Sequence, residues 1–177
     1  MSALQSLNIL LVDDNQHMRA ITSAILQSAG IRNIREVSDG AMALDALRDH
    51  QVDLAIVDFN MFPLDGVEFT RLVRNSPDSA NPYLPIIMMT GHSEKHRVVE
   101  ARDAGVTEFV VKPITAKAVF DRIQAVIMRP RPYVKTDDYF GPDRRRTSTA
   151  VSYKGPRRRA TDVAEDASTD IDNAGKA

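Results

Sequence analysis

Five short apolar runs, each followed by polar residues, restrict most strongly how this 177-residue chain can fold. The runs occupy residues 8–12, 34–37, 54–57, 86–89 and 109–111. They are rich in β-branched residues. Apart from Asn8 and from Arg35 and Glu36 in the second run they are apolar, without the alternation of a half-exposed strand. This pattern predicts buried strands of a parallel sheet that is covered on both faces.

Amphipathic segments separate the runs. Met18, Ile21 and Ile25 have helical spacing, and Gly30 follows them as a stop signal. Comparable segments follow the other four runs, and Gly105 ends the one predicted over residues 94–104. Strand and helix thus alternate five times. The sequence predicts an α/β domain of (βα)5 type, with an open parallel sheet, helices on both faces and right-handed crossovers.

The pattern stops after Met128, where the sequence continues Arg-Pro-Arg-Pro. Three segments differ in net charge: −4 over residues 1–128, +7 over residues 129–161 and −4 over residues 162–177. We interpret them as a domain, a basic extension for an anionic partner, and an acidic tail. Because residues 129–177 lack periodic aliphatic positions, this part is expected to be largely unstructured.

Composition excludes several kinds of protein. The chain has no cysteine, so disulfides, thiolate zinc sites and cysteine nucleophiles are impossible. No apolar run approaches the roughly 20 residues of a membrane span. The first residues lack the basic start of a signal peptide, and a cytoplasmic location is expected.

Polar residues at the carboxyl ends of the runs are site candidates, because open α/β sheets bind ligands there. These residues are Asp13, Asp14, Asp58, Thr90 and Lys112. Clustered carboxylates repel one another, and Mg²⁺ relieves this repulsion by taking oxygen ligands. A carboxylate can then attack a phosphoryl donor while a hydroxyl and an ammonium hold the transferred oxygens. The alternative is that the aspartates only cap helices, as is expected for Asp39.

These motifs resemble those of the CheY-like receiver domain, the phospho-accepting module of two-component response regulators. The matching motifs are LLVDDN at residues 10–15, DFNMFPLDG at 58–66, MMTG at 88–91 and FVVKP at 109–113. The resemblance covers residues 6–128 and implies a flavodoxin-like fold and a histidine kinase as phosphodonor.

The same resemblance implies roles for individual residues. Asp58 is the implied phosphoacceptor, and Asp13, Asp14, Asp58 and the carbonyl of Asn60 are the implied Mg²⁺ ligands. Thr90 and Lys112 would contact the phosphoryl group, and the Lys112–Pro113 bond would be cis. Phe109 occupies the position of the family's aromatic switch, although a buried strand residue is an equal alternative.

The chain departs from the family pattern at one point. Phe62 stands where the family usually has proline, and Pro63 follows it. Gly66 keeps its usual spacing, so the loop keeps its length. No catalytic output domain is recognisable, and the chain is not expected to be an enzyme.

The basic extension contains an internal repeat, Y-x-G-P-x-R-R, whose two copies lie fourteen residues apart. Arginine binds phosphate or guanine edges, aspartate accepts from guanine, and aromatic rings stack on bases. The candidate ligand residues are Tyr139, Phe140, Gly141, Pro142, Asp143, Arg144, Arg145, Arg146, Tyr153, Arg157, Arg158 and Arg159. The alternative is a conventional receiver whose basic tail binds nucleic acid or a protein non-specifically.

The patterned extension over residues 133–159 resembles that of the Cle-type CheY-like proteins of flagellated alphaproteobacteria. The resemblance implies that the extension binds cyclic di-GMP and that the receiver contacts the flagellar motor switch. We expect a signalling protein that acts through protein contact.

Overall fold

The computed structural model describes residues 4–91 and 96–144. The main sheet contains β1 (Asn8–Val12), β2 (Asn33–Val37), β3 (Leu54–Asp58), β4 (Ile86–Thr90) and β5 (Glu108–Val111). The helices are α1 (Gln16–Ser28), α2 (Gly40–Asp49), α3 (Gly66–Asn75), α4 (Val98–Ala104) and α5 (Ala116–Met128). All neighbouring strands are parallel, in the order β2-β1-β3-β4-β5. The predicted doubly wound (βα)5 fold is confirmed.

Successive strand residues point to opposite faces of the sheet, and each face has its own core. Ile9, Leu11 and Ile56 contribute to a core that also contains α1 and α5 residues. Leu10 and Val57 contribute to a second core with α2 and α3 residues. Every residue of β3 and β4 is buried, which explains why their sequences are apolar without alternation.

Four of the five helices of the described ranges begin at side chains that accept hydrogen bonds from their first turns, and α4 is the exception. Asp39 caps α2 as predicted, Thr115 caps α5, and Asp65 forms a capping box with Glu68 in α3. Asn15 caps α1, so the alternative that Asp13 or Asp14 caps this helix is wrong. Both aspartates therefore remain available for chemistry at the end of β1.

Residues 129–144 differ from the expectation of an unstructured extension. The strands β6 (Tyr133–Lys135) and β7 (Phe140–Pro142) form an antiparallel hairpin. The hairpin lies against the amino-terminal ends of β4 and β5, where the Tyr133 hydroxyl donates to the carbonyl of Leu84 (3.3 Å). Arg131 donates to the carbonyl of Thr107 and pairs with Glu108.

An aromatic cluster fixes the hairpin. The rings of Tyr83, Tyr133 and Phe140 pack edge to face, with centroids 5.2–6.1 Å apart. Beneath Tyr133 lies Arg74, which is 2% exposed and donates to the carbonyls of Gly105 and Pro82. Edge-to-face aromatic pairs and a cation over a ring are both favourable geometries. Along the described ranges, no helix has the length and apolarity needed to cross a membrane.

Candidate functional site

Three carboxylates meet at the carboxyl edge of the sheet. Asp13 and Asp14 follow β1, and Asp58 is the last residue of β3, the neighbouring strand. One oxygen of each lies within 4.8 Å of the others. The chain passes from β1 to β2 through α1 on one face of the sheet, and from β2 to β3 through α2 on the other face. The site between β1 and β3 therefore lies at the topological switch point.

Two of these carboxylates are buried. Asp13 is 0% exposed and Asp58 is 5% exposed, whereas Asp14 is exposed. Burial raises the pKa of Asp58 to about 6, against the opposing effect of a hydrogen bond from Lys112. Burial likewise raises the pKa of Asp13. Without a metal ion, the site therefore resists carrying its full negative charge.

Lys112 supplies a positive charge to this pair. Its Nζ lies 2.6 Å from Asp58 Oδ1 and 3.9 Å from Asp13 Oδ2. The backbone N–H of Lys112 donates to the carbonyl of Thr90 (2.7 Å), which ties the end of β5 to the end of β4. The Lys112–Pro113 bond is cis, as the resemblance implies.

The donor set fits a hard divalent cation. Asp13 Oδ1 accepts from the backbone N–H of Asn15 (2.8 Å). Asp13 Oδ2 is buried and has no hydrogen-bond partner among the described residues. A buried carboxylate oxygen without a hydrogen bond is costly, and the Lys112 ammonium 3.9 Å away compensates it only in part. Carboxylate oxygens are the ligands that Mg²⁺ prefers, so the three aspartates suit this ion.

Thr90 and Asn60 lie at or just after the ends of the neighbouring strands β4 and β3. Thr90 ends β4 and is buried, one residue beyond Met89, the register partner of Asp58. Asn60 is exposed two residues after Asp58. The structure thus brings the strand-end residues to one edge of the sheet, as the parallel arrangement requires.

The loop after β3 approaches Asp58 closely. A Cβ on Gly66 would lie 2.5 Å from the carbonyl oxygen of Asp58, and the Gly66 N–H donates to Phe59. Glycine is therefore required at this position to keep the loop against the site. The atypical Phe62 is 83% exposed, and the bond to Pro63 is cis.

Phe109 is half-buried in β5 and packs against the buried cluster that contains Phe59 and Met88. Its carbonyl accepts from Arg122 Nε (3.0 Å). This environment is compatible both with an aromatic switch and with a strand residue that contributes to packing, so the switch role stays a prediction.

The first copy of the tail repeat forms a compact turn. The Tyr139 hydroxyl donates to the carbonyl of Pro142 (2.7 Å), and the Arg144 guanidinium lies over the Tyr139 ring, 4.2 Å from its centroid. A Cβ on Gly141 would lie 2.6 Å from the Tyr139 hydroxyl. These contacts give the tyrosine and the glycine of this first copy defined structural roles.

The other tail candidates divide into three groups. Phe140, Gly141 and Pro142 are buried, so the Phe140 ring serves the aromatic cluster in this arrangement and is not open for stacking on a base. Asp143 and Arg144 are half-buried at the end of the hairpin. Outside the described residues lie Arg145, Arg146, Tyr153, Arg157, Arg158 and Arg159.

Sequence reasoning missed the residues that hold the extension. Arg74 lies in α3, and Tyr83 lies in the loop between α3 and β4. Both are far along the chain from Arg131 and Tyr133. A helical arginine and an exposed loop tyrosine carry no local signal of such contacts. The extension has few aliphatic residues but contains several aromatic ones. These aromatic residues were the signal in the sequence that the extension packs against the domain.

Comparisons with known proteins agree with this geometry. Residues 9–124 match the response regulator receiver domain family. The chemotaxis protein CheY of Pseudomonas aeruginosa is 35% identical over 123 residues, which cover 70% of this chain and 98% of that protein. Chemotaxis protein CheY-3 of Vibrio cholerae is 31% identical over 125 residues, covering 71% of this chain and 95% of that protein.

Solved structures are similar over the same region. CheY4 of Vibrio cholerae has a TM-score of 0.62 at 31% identity, covering 68% of this chain and 98% of that one. The receiver domain of a sensor histidine kinase from Pseudomonas aeruginosa, with a magnesium ion in its active site cleft, has a TM-score of 0.61 at 28% identity. That match covers 68% of this chain and 96% of the other.

Proposed function

Because this chain belongs to the response regulator receiver domain family, we propose that Asp58 accepts a phosphoryl group from a histidine kinase in the cytoplasm. The observation that carries this proposal is the buried Asp58 carboxylate, whose Oδ1 is 2.6 Å from Lys112 Nζ at the switch point of the sheet. In the transfer, an Asp58 oxygen attacks phosphorus while the P–N bond of the phosphohistidine breaks. The bonding electron pair returns to the imidazole.

Asp13, Asp14, Asp58 and the carbonyl of Asn60 would hold Mg²⁺. The ion would offset the negative charge of the carboxylates and of the incoming phosphoryl group. The Lys112 ammonium contacts the Asp58 carboxylate. After the transfer it would contact the phosphoryl oxygens, which then carry the negative charge. The Thr90 hydroxyl, at the end of the adjacent strand, would donate to another of these oxygens.

Phosphorylation of the full chain tests this part of the proposal. We expect phosphoramidate with Mg²⁺ to add one phosphoryl group, detected by intact mass. Asp58→Asn should abolish the product, because an amide is not the required nucleophile, and EDTA should suppress it in the wild type. Asp45→Asn, at an exposed site on α2, is the matched control and should be labelled normally. Undiminished labelling of Asp58→Asn would refute Asp58 as acceptor.

The second part of the proposed function concerns the extension, which we propose binds cyclic di-GMP. Its support is the repeated Y-x-G-P frame, with three consecutive arginines after each copy, inside a segment of net charge +7. In the first copy, the guanidinium of Arg144 already lies over the Tyr139 ring. Guanidinium forks suit phosphates and guanine edges, and a carboxylate such as Asp143 suits the guanine donors.

Calorimetry with the full chain tests the ligand. We expect cyclic di-GMP to bind with micromolar or tighter affinity, and replacement of Arg144, Arg145 and Arg146 by alanine to weaken binding at least about tenfold, since charged hydrogen bonds are lost. Replacement of Arg32, Arg35 and Arg48 removes the same charge outside the extension and should leave affinity within about twofold. Equal weakening by both triple variants would show that only net charge matters.

The output we propose is a protein contact, at the flagellar motor switch. The relatives named as chemotaxis proteins support this choice of partner. The high positive charge of the extension favours one alternative, non-specific binding of nucleic acid. Competition with single-stranded RNA at fixed salt separates specific binding of cyclic di-GMP from non-specific binding, because only a non-specific polyanion site would let the RNA displace cyclic di-GMP. Binding to a non-specific site would also weaken steeply when the salt concentration is raised.

A further inference from the structure

Arg144, the first arginine of the repeat's triplet, is engaged by a carboxylate of the receiver body. Its Nη2 lies 3.0 Å from Asp103 Oδ1, next to the last residue of α4. The same guanidinium is stacked on the ring of Tyr139. The cation that the proposed function assigns to an anionic ligand is therefore already paired with an internal anion.

This pairing satisfies the guanidinium only in part. Arg144 Nε is buried and has no hydrogen-bond partner among the described residues. The Asp103 side chain is 48% exposed and also lies 3.7 Å from Arg102 Nε, so it has a second cation nearby. A half-exposed ion pair contributes little to stability, and a buried donor without a hydrogen bond is unfavourable. An anion that binds the guanidinium more completely can therefore replace Asp103.

Close backbone packing keeps Asp103 beside the Tyr139 turn. A Cβ on Gly105 would lie 2.6 Å from the carbonyl oxygen of Phe140, and a Cβ on Gly141 would lie 2.8 Å from the Cα of Gly105. The end of α4 and the hairpin therefore meet without intervening side chains. The carboxylate of Asp103 therefore occupies the Nη2 donor of Arg144, which a ligand phosphate would otherwise use.

We propose that Asp103 is a built-in competitor of the ligand, occupying the Arg144 guanidinium until a ligand phosphate replaces it. This inference rests on the proposed binding of cyclic di-GMP by the extension. Carboxylate and phosphate use the same guanidinium fork, and they repel each other when both approach it. Ligand binding then requires the Asp103–Arg144 pair to break, which lowers the affinity of the free protein.

Full-chain calorimetry with cyclic di-GMP tests the competition. Asp103→Asn keeps the side-chain shape and is expected to tighten binding about two- to fivefold, the range that an exposed ion pair contributes. The gain should disappear when Arg144→Ala is also present, because the effect acts through that guanidinium. Asp45→Asn removes an equivalent exposed aspartate, paired with Arg48 on α2, and should not change affinity. Unchanged or weaker binding of Asp103→Asn would overturn the proposal, as would an equal gain in the Arg144→Ala background.

A second ligand separates failure of this inference from failure of the proposed function. If the wild-type chain does not bind cyclic di-GMP, the proposed ligand is wrong, and the same variants are titrated with inorganic pyrophosphate. Tighter pyrophosphate binding by Asp103→Asn, again dependent on Arg144, would support competition for the guanidinium. Equal pyrophosphate affinity of wild type and Asp103→Asn would overturn it.

Discussion

Asp58→Asn is expected to stabilise the metal-free protein at neutral pH, although it removes the proposed phosphoacceptor. Burial raises the pKa of Asp58 from 3.8 to about 6. Ionising this group in the folded state at pH 7.5 therefore costs about 3 kcal/mol of unfolding free energy. Asparagine avoids that cost but leaves Lys112 without its 2.6 Å partner, so we expect a net gain of about 1 to 3 kcal/mol.

The sign of the pH dependence follows from the direction of the pKa shift. Because the folded-state pKa is raised, the unfolded chain releases this proton first as the pH increases. Below about pH 4 the carboxyl is protonated in both states and costs nothing. The stability of the wild type relative to Asp58→Asn should therefore fall between about pH 4 and pH 6 and remain constant above.

Urea unfolding in EDTA across this pH range measures the effect. Asp45→Asn is the control for the loss of one negative charge and should change stability by less than about 0.5 kcal/mol. Adding Mg²⁺ should stabilise the wild type more than Asp58→Asn, because the site with all three aspartates binds the ion more tightly. The difference in unfolding free energy between the two proteins should therefore narrow. A difference that is the same at pH 4 and pH 7.5 would contradict the assignment to Asp58 ionisation.

The sequence predicted the inner strands of the sheet well because β1, β3 and β4 are buried on both faces. Continuous apolar runs marked four of the five strands, whereas the run of β2 contains the exposed Arg35 and Glu36. β1 has the predicted bounds. Strands β3 and β4 extend one residue further, through Asp58 and Thr90. Backbone pairing continues to these positions whatever the side chain, so the polar site residues are part of the strands that position them.

The acidic cluster was predictable because the carboxyl ends of parallel strands meet at one edge of the sheet. What the sequence did not indicate is how unequal its carboxylates are. Asp13 is fully buried and its neighbour Asp14 is exposed, because consecutive residues leave the strand in opposite directions. Burial raises the pKa of the Asp13 carboxyl.

The hairpin at residues 133–142 was not predictable from local patterns. Its strands have three residues each, too short for a periodic signal. Its stability comes from partners distant in the chain, including Tyr83 and the carbonyls of Leu84 and Thr107. The prolines at 130 and 132 end α5 as expected, but they do not prevent an ordered segment after it.

Gly141→Ala is expected to undock this hairpin and to lower the unfolding free energy by about 1 to 3 kcal/mol. The new Cβ would lie 2.6 Å from the Tyr139 hydroxyl and 2.8 Å from the Cα of Gly105. Gly141 does not have a positive φ, so alanine meets no backbone strain there and the effect is steric. Urea unfolding gives the stability, and trypsin cleavage after the exposed Lys135 reports whether the hairpin opens.

Gly105→Ala tests the other side of the contact, with Gly30→Ala as its matched control. Both glycines have positive φ, 102° and 84°, so each alanine incurs a backbone penalty of about 1 to 2 kcal/mol. At Gly30 the new Cβ would meet only the flexible side chain of Gln5, whereas at Gly105 it would meet the carbonyl oxygen of Phe140. Gly105→Ala should therefore cost about 1 to 3 kcal/mol more and accelerate cleavage after Lys135. Equal costs at the two glycines, with trypsin cleavage unchanged, would mean that the hairpin contributes nothing to the stability of the receiver body.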